Sequence, residues 1–414
     1  MEIILMHKND MVAQLIFTDA GYFTEIAGFY NRNLMPPGTR VQDPVASQRF
    51  KAWIEDRVIP KERENYIKII SDANINTQEQ FCFSNYCMNL NDCYWMQSLE
   101  ALENSPSWYD INFFTNIYSP YVGCVLTEPD FNHPAKNFIS PDLATNGNSK
   151  KMWYQNPETG ESYLLKFGTQ KNNYQEVYIE AAVCKIEEAL GINHVHYDLI
   201  DKQFMNGQKT KVAICKNFCS ENVEFVSAHC LSVEPNLVGK NGMLNFLKKL
   251  NLKSEMDKIL VLDYITCNPD RDFTNFGFLR NSDTFESLGL APVFSNGNSL
   301  WVDWKEYGVG QKDLASTFDS THEKQIQLVD DFSWIEFDKL EESLLYVKII
   351  LSDSDIPQHI QNQICLELKN RINKLKNIAK TKQKQMIIKK ENEIREKNNK
   401  KIELSESTSG GFGF

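Results

Sequence analysis

The sequence predicts an α+β fold in two lobes, with a β-rich N-terminal region and a helical C-terminal lobe. Three observations predict it. Short alternating stretches separated by turn residues crowd the N-terminal half. One strong amphipathic helix, QEVYIEAAVCKIEEALGI, interrupts them. Beyond about residue 236 helical patterns take over. At 414 residues the chain is long enough for two or three domains with a sizeable core.

In chain order, MVAQLIFTDAGYFTEI reads as two strands around a turn at Asp19, Ala20 and Gly21. FKAWIEDRVIP is a short helix stopped by Pro60. SWYDINFFTNIY alternates apolar and polar residues as a strand does. Residues 116–141 contain Pro120, Pro129, Pro134 and Pro141 and read as a linker. KKMWYQ and ESYLLKFG form a hairpin through the turn residues Asn156, Pro157 and Gly160. The amphipathic helix follows, with Val177, Ala181, Ile186 and Leu190 on its apolar face and Gly191 ending it. HVHYDLIDKQ and TKVAICKNF are two more strands, joined at Asn206-Gly207. A sheet with one helix, followed by a helical lobe, is the order of a two-lobed kinase. SESTSGGFGF at the end reads as disordered.

Composition narrows the function class. Hydrophobic residues make up 42% and aromatics 12%, which indicates a folded chain. No apolar run reaches membrane-spanning length, and MEIILMHKND turns polar too soon for a secretory signal, so a soluble cytoplasmic protein is expected. The ten cysteines include no CxxC pair and read as reduced, mostly buried thiols. Net charge is −11. Between residues 369 and 401, eleven Lys and two Arg stand against three Glu, so this stretch carries +10 and the rest of the chain −21. An acidic body argues against broad nucleic-acid binding, and the basic tail reads as a solvated helix.

The residues that carry chemistry lie in ITCNPDRDFTNFGFLRN, where Asp270 stands five residues before Asn275, after the apolar helix DKILVLDYI. Phosphoryl transfer needs a carboxylate to orient the attacking hydroxyl and a nearby side-chain oxygen on magnesium. A D-x-x-x-x-N loop supplies both from one turn of chain. In LAPVFSNGNSLW, the place where kinases carry a second, acidic magnesium ligand holds Ser295, a neutral and weaker ligand. Asn296 and Asn298 offer amide oxygens without charge, and Asp303 lies eight residues on. Lys166, in the second hairpin strand, suits a partner of nucleotide phosphates. Glu176 and Glu180 share one face of the next helix, and Glu180 is the preferred ion-pair partner. In ATNGNSKKMW, Gly147 permits a loop whose amides approach phosphate, with Lys150 and Lys151 adding charge. The backbone from Lys216 to Phe218, where the lobes would join, suits an adenine edge. His194 and His196 share a strand face, but the sequence shows no third metal ligand for them.

At these residues the chain resembles the HipA-like serine/threonine protein kinases, a family of bacterial toxin-type kinases, and looks like its shorter relatives with NFGFLR and APxFDNGxSL segments. RFKAWIEDRVIP, LNDCYWM, WYDINFFTN and THEKQIQLVDDFSW extend the resemblance to about residue 340. It implies a HipA-like α+β subdomain over 1–115, a kinase small lobe over 116–234, a helical catalytic lobe over 235–378 and a basic, partly disordered tail over 379–414. It implies Asp270 as the catalytic aspartate, Asn275 as a magnesium ligand and Lys166 as the phosphate-holding lysine. Gly147 and Lys151 would belong to the phosphate loop, and Ser295 stands where the family has Asp.

ATP and Mg2+ are the implied cofactors, a protein Ser or Thr hydroxyl the substrate, and a small antitoxin-type regulator the implied partner. Nucleic acid would be reached only through that partner or the basic tail. The chain also departs from the family: Asp272 replaces a frequent His, and the place of an autophosphorylated serine falls near Ala144, with Thr145 and Ser149 as substitutes. Two readings follow. One is an ATP-dependent kinase impaired by Ser295. The other is a pseudokinase or inactivated variant serving as a nucleotide-binding scaffold.

Overall fold

EIILMH carries no polar residue between Ile3 and Met6, because both faces of this strand are covered. The computed structural model describes residues 1–409 except 42–44, 74, 76, 103–105, 130, 132–137, 233–236 and 238. Within it, β1 (Glu2–His7) lies inside an antiparallel sheet with β2 (Asp10–Phe17), β3 (Phe23–Phe29) and β4 (Tyr94–Ser98), in the order β3-β2-β1-β4. Alternation sends Ile3 and Leu5 one way and Ile4 and Met6 the other. The first pair packs with Phe50, Ile54, Ile69 and Phe81 from α1 (Val45–Glu55), α2 (Tyr66–Ala73) and α3 (Gln78–Ser84). The second pair packs with Trp95, Trp108, Phe113 and Trp153. Trp153 belongs to the next unit, so the N-terminal subdomain and small lobe share a core.

Two expectations fail in this region. WYDINFFTN contains α4 (Trp108–Ile111), because the Asp110 carboxylate accepts from the Ser107 amide at 2.9 Å and its hydroxyl at 2.7 Å, closing a helical turn over buried Trp108. The proline-marked linker contains α5 (Tyr121–Thr127), whose Val122, Val125 and Leu126 are buried. The apolar run YVGCVLT outweighs its flanking prolines. Pro134 lies outside the described residues.

The small lobe is an antiparallel sheet of order β5-β6-β8-β7, formed by β5 (Lys151–Gln155), β6 (Ser162–Lys166), β7 (Asp198–Gln203) and β8 (Lys209–Lys216). Between β6 and β7 runs α6 (Glu176–Leu190), capped by Gly191 in the left-handed conformation at φ 60°. Its Val177 and Cys184 pack under the sheet, while Ile179, Ala182, Val183 and Ile186 join the core of the helical lobe. One helix therefore belongs to both lobes. His194 to Tyr197, read as part of a strand, precede β7, and His194 forms only an isolated bridge to Val293.

A second sheet of order β11-β10-β9 begins the large lobe: β9 (Val223–Ser227), β10 (Gly277–Asn281) and β11 (Ser287–Leu290). The helices are α7 (Ala228–Ser232), α8 (Gly239–Lys249), α9 (Lys253–Thr266), α10 (Trp304–Tyr307), α11 (His322–Gln325), α12 (Phe337–Ser352) and α13 (Gln358–Ser409). In α9 every residue from Ile259 to Thr266 is buried, which explains why this run is apolar on every face apart from Asp263 and Thr266. The expected tail boundary at residue 379 falls inside α13, and the helix covers the first five residues of the expected disordered end.

The ten cysteines are free thiols, seven of them buried. Among the described residues, no helix is long and apolar enough to cross a membrane.

Candidate functional site

The D-x-x-x-x-N loop starts where α9 stops. Cys267 takes a left-handed φ of 53° and ends the helix. Asn268 is fully buried, and its Oδ1 accepts the Asp270 amide at 3.0 Å. Asn275 then closes the loop, its Nδ2 donating to the Asp270 carbonyl at 2.6 Å. The Asp270 carboxylate accepts from Asn298 Nδ2 at 2.8 Å. Burial raises its pKa above the ordinary aspartate value, while the Asn298 hydrogen bond opposes the rise.

Arg271 anchors this loop from behind, a role the sequence does not announce. It is 1% exposed and forms an ion pair with buried Asp263 at 3.2 Å. It also donates to the carbonyls of Asn275 and Phe294 and to Asn296 Oδ1. Asn296 Nδ2 donates to Glu187 at 2.9 Å. Burial pushes the Glu187 carboxyl up to about 8, even with Arg271 and Asn296 nearby. Asn296, read as a spare amide oxygen for a metal, therefore has that oxygen committed to Arg271.

The chain from Phe294 to Asn298 connects the two halves of the site. The Asn296 amide donates to Glu180 Oε2 at 2.8 Å. Glu180 Oε1 holds Lys166 Nζ at 2.7 Å, with the two side chains 4% and 15% exposed. Lys166 also lies 4.7 Å from the center of the Tyr197 ring. A β-carbon on Gly297 would sit 3.2 Å from Glu180 Oε1, so a residue without a side chain lets this segment pass tightly against α6. Ser295 stands next in line at φ 63°, a left-handed conformation. A continuous path thus links Lys166, Glu180, the 295–298 segment, Asp270 and Asn275. Glu176 takes another role, accepting from Thr169 and Asn172.

The Gly147 loop is held by the N-terminal subdomain. Arg63 donates to Thr145 and to the carbonyls of Asn146 and Gly147. Burial lowers the Arg63 guanidinium to about 10. Gly147 has φ 79°, and Lys151 Nζ would stand 3.1 Å from a β-carbon there. Lys151 donates to the Asn146 carbonyl. Burial, first, and then Arg63 and Lys166 push the Lys151 ammonium well below its ordinary value, while Glu180 and Asp270 oppose the shift. Three cations therefore converge beside two carboxylates, an arrangement suited to a polyanion. Lys150 pairs instead with Glu64 at 2.8 Å. A cavity of about 540 Å³ adjoins the loop, lined by Asn148, Lys150, Thr169 and Gln170, without reaching Lys166 or Asp270. Thr145 is buried with its hydroxyl donating to the Asp142 carbonyl, so it is no substitute for an accessible phosphorylated serine; Ser149 is exposed.

The expected adenine edge lies at the lobe junction. The Lys216 side chain turns to solvent and pairs with Glu161. The Asn217 amide is already donated to Ser162 O at 2.9 Å. Phe218 packs on Phe294 and Phe225, each at 5.8 Å between ring centers, which brings it next to the Ser295 segment.

Magnesium finds a poor donor set here. Asn275 and Ser295 are neutral, Asn296 is committed, and the Asp270 carboxylate carries a hydrogen bond from Asn298. A hard dication is ordinarily held by one or two carboxylates together with phosphate oxygens. The residues fit a phosphate group better than a protein-held magnesium.

Comparison with protein-family models and with curated proteins gives no match. Among solved structures, the chain is similar to HipA from the complex of the Shewanella oneidensis MR-1 toxin–antitoxin system HipA, HipB and its operator DNA. The TM-score is 0.57 at 12% identity, covering 90% of this chain and 97% of that chain. It is also similar to the Helicobacter pylori proinflammatory kinase CtkA, with TM-score 0.42 at 19% identity, over 58% of this chain and 93% of that chain. The likeness to HipA extends over both lobes and establishes a HipA-like fold.

Proposed function

We propose that this chain, which has the HipA-like fold, binds ATP between its lobes and acts as a serine/threonine protein kinase impaired by Ser295. The observation that carries the reading is the Lys166–Glu180 ion pair, joined through the Asn296 amide and the Asn298 side chain to the Asp270 carboxylate. Lys166, with Lys151 and the Gly147 loop, neutralises phosphate charge. Asp270 orients the hydroxyl of a protein Ser or Thr. The Lys216–Phe218 backbone borders the adenine. Magnesium would enter with the nucleotide, and Asn275 and Ser295 would be the side chains to meet it.

The neutral Ser295 favours a second reading, a pseudokinase that binds nucleotide without useful transfer. The two separate on one assay with labelled ATP and a test protein. In the kinase reading the unmodified chain transfers slowly, and Asp270→Asn lowers the rate at least about a hundredfold, the range of a lost general base. Equal rates in both proteins reject Asp270 as the catalytic group. By analogy with the complex in which HipA was solved, the proposed partner is a small DNA-binding antitoxin, acting with this chain in the bacterial cytoplasm.

Nucleotide binding also carries a proton signature. Burial first, and then Arg63 and Lys166, hold Lys151 below the ordinary lysine value of 10.5, and a bound polyanion raises it back toward that value. Between the depressed and restored values, binding takes up a proton. Calorimetry in two buffers of different ionization enthalpy will show that uptake, and Lys151→Met will abolish it. Binding without proton exchange at any alkaline pH contradicts this placement of Lys151.

A further inference from the structure

We propose that Cys184, His194 and His196 form a binding site for a zinc-type transition metal behind the cleft. His194 and His196 share one face of the segment before β7, and the fold supplies the third ligand from α6. One ligand atom of each residue lies within 4.8 Å of the others. His194 is already oriented to receive a metal, since its Nδ1 meets the Ile192 carbonyl at 2.8 Å. Its Nε2 is shut off from solvent and has no hydrogen-bond partner among the described residues. Metal-binding histidines characteristically use one ring nitrogen for the metal and the other for such a carbonyl.

The surroundings suit a cation. His196 lies with Nε2 3.3 Å from Asp198 and Nδ1 3.7 Å from Glu188. Whichever nitrogen takes the metal, the other keeps a carboxylate. Water fills the fourth position, and Glu188 stays paired with Lys185. A tetrahedron with Zn–N of about 2.0–2.1 Å and Zn–S of about 2.3 Å has edges of roughly 3.4–3.6 Å. The exposed His196 ring can close that gap by rotating. Cys184 is buried and its thiol donates to the Val195 carbonyl at 3.6 Å; metal binding breaks that S–H bond as the metal–sulfur bond forms, and the proton passes out on the side of the exposed His196.

The other thiol–imidazole cluster, Cys267, Asp313 and His322, is less suited. Arg371 already occupies Asp313 at 2.8 Å and would repel a second cation. A metal on Cys184 has structural reach. Cys184 follows Glu180 by one helical turn, and His194 bridges Val293, two residues before Ser295. Metal binding would tie α6 to the segment after β11 that leads into the cleft.

The test is titration of the purified full chain, first stripped of metal, with Co(II) and then with Zn(II). The expected result is one equivalent of tetrahedral Co(II) with a thiolate-to-metal charge-transfer band that Zn(II) bleaches. His196→Gln, at an exposed position that leaves folding intact, weakens binding on the order of a hundredfold or more. Cys184→Ala removes the band, while Cys267→Ala keeps it. A spectrum without the thiolate band, or a band that survives Cys184→Ala, overturns the proposal.

Discussion

Arg271→Ala will destabilise the large lobe by about 3–5 kcal/mol, the range for breaking one side of a buried ion pair. The loss is large because Arg271 serves several groups together. Without it, Asp263 is a fully buried carboxylate without its cation, and Asn296 Oδ1 and the Phe294 and Asn275 carbonyls each lose a donor. A domain stable by about 5–15 kcal/mol loses a large fraction of its margin. Denaturant unfolding followed by large-lobe tryptophans measures the change. Arg271→Met with Asp263→Leu should recover part of the loss, since the double change leaves no buried charge unpaired. A shift below about 1 kcal/mol for Arg271→Ala would mean the network does not hold the loop.

Ser295→Asp will raise phosphoryl transfer at least about a hundredfold over the unmodified chain, if one charged metal ligand supplies about 3 kcal/mol of transition-state stabilisation. The backbone permits the change. Ser295 sits at φ 63°, where Asp and Asn are enriched among residues with side chains, so the carboxylate is not resisted by the turn. Ser295→Asn controls for shape, since it extends the side chain without adding charge. The expectation is a large gain for Asp and a small one for Asn, both abolished by adding Asp270→Asn. A gain in Asn equal to that in Asp would assign the effect to reach rather than charge.

The parts of this protein written in local patterns were legible in its sequence. The hairpins follow from turn residues such as Asn156 and Gly160, and α6 from its apolar spacing and terminal Gly191. Lys166 and Glu180 were paired by strand and helix position, and the structure brings them to 2.7 Å. What stayed hidden depends on distant contacts. Arg271, inside the charged triplet Asp-Arg-Asp, looks like a solvated residue until Asp263 and Asn296 close over it. Arg63 reaches the Gly147 loop from 84 residues away. Cys184 faces two histidines that local spacing showed only as a pair. α5 is hidden in the sequence by the prolines around it, which mark chain direction well and burial poorly.

On the proposed function, the cleft joining Lys166, Glu180 and Asp270 is a nucleotide site. Equilibrium binding of ATP to the unmodified chain, with magnesium present, tests it most directly. The expected result is saturable binding at one site, abolished by Lys166→Met and retained by Lys216→Ala, whose side chain faces solvent. It is contradicted if ATP does not bind, or if Lys166→Met binds as tightly as the unmodified chain.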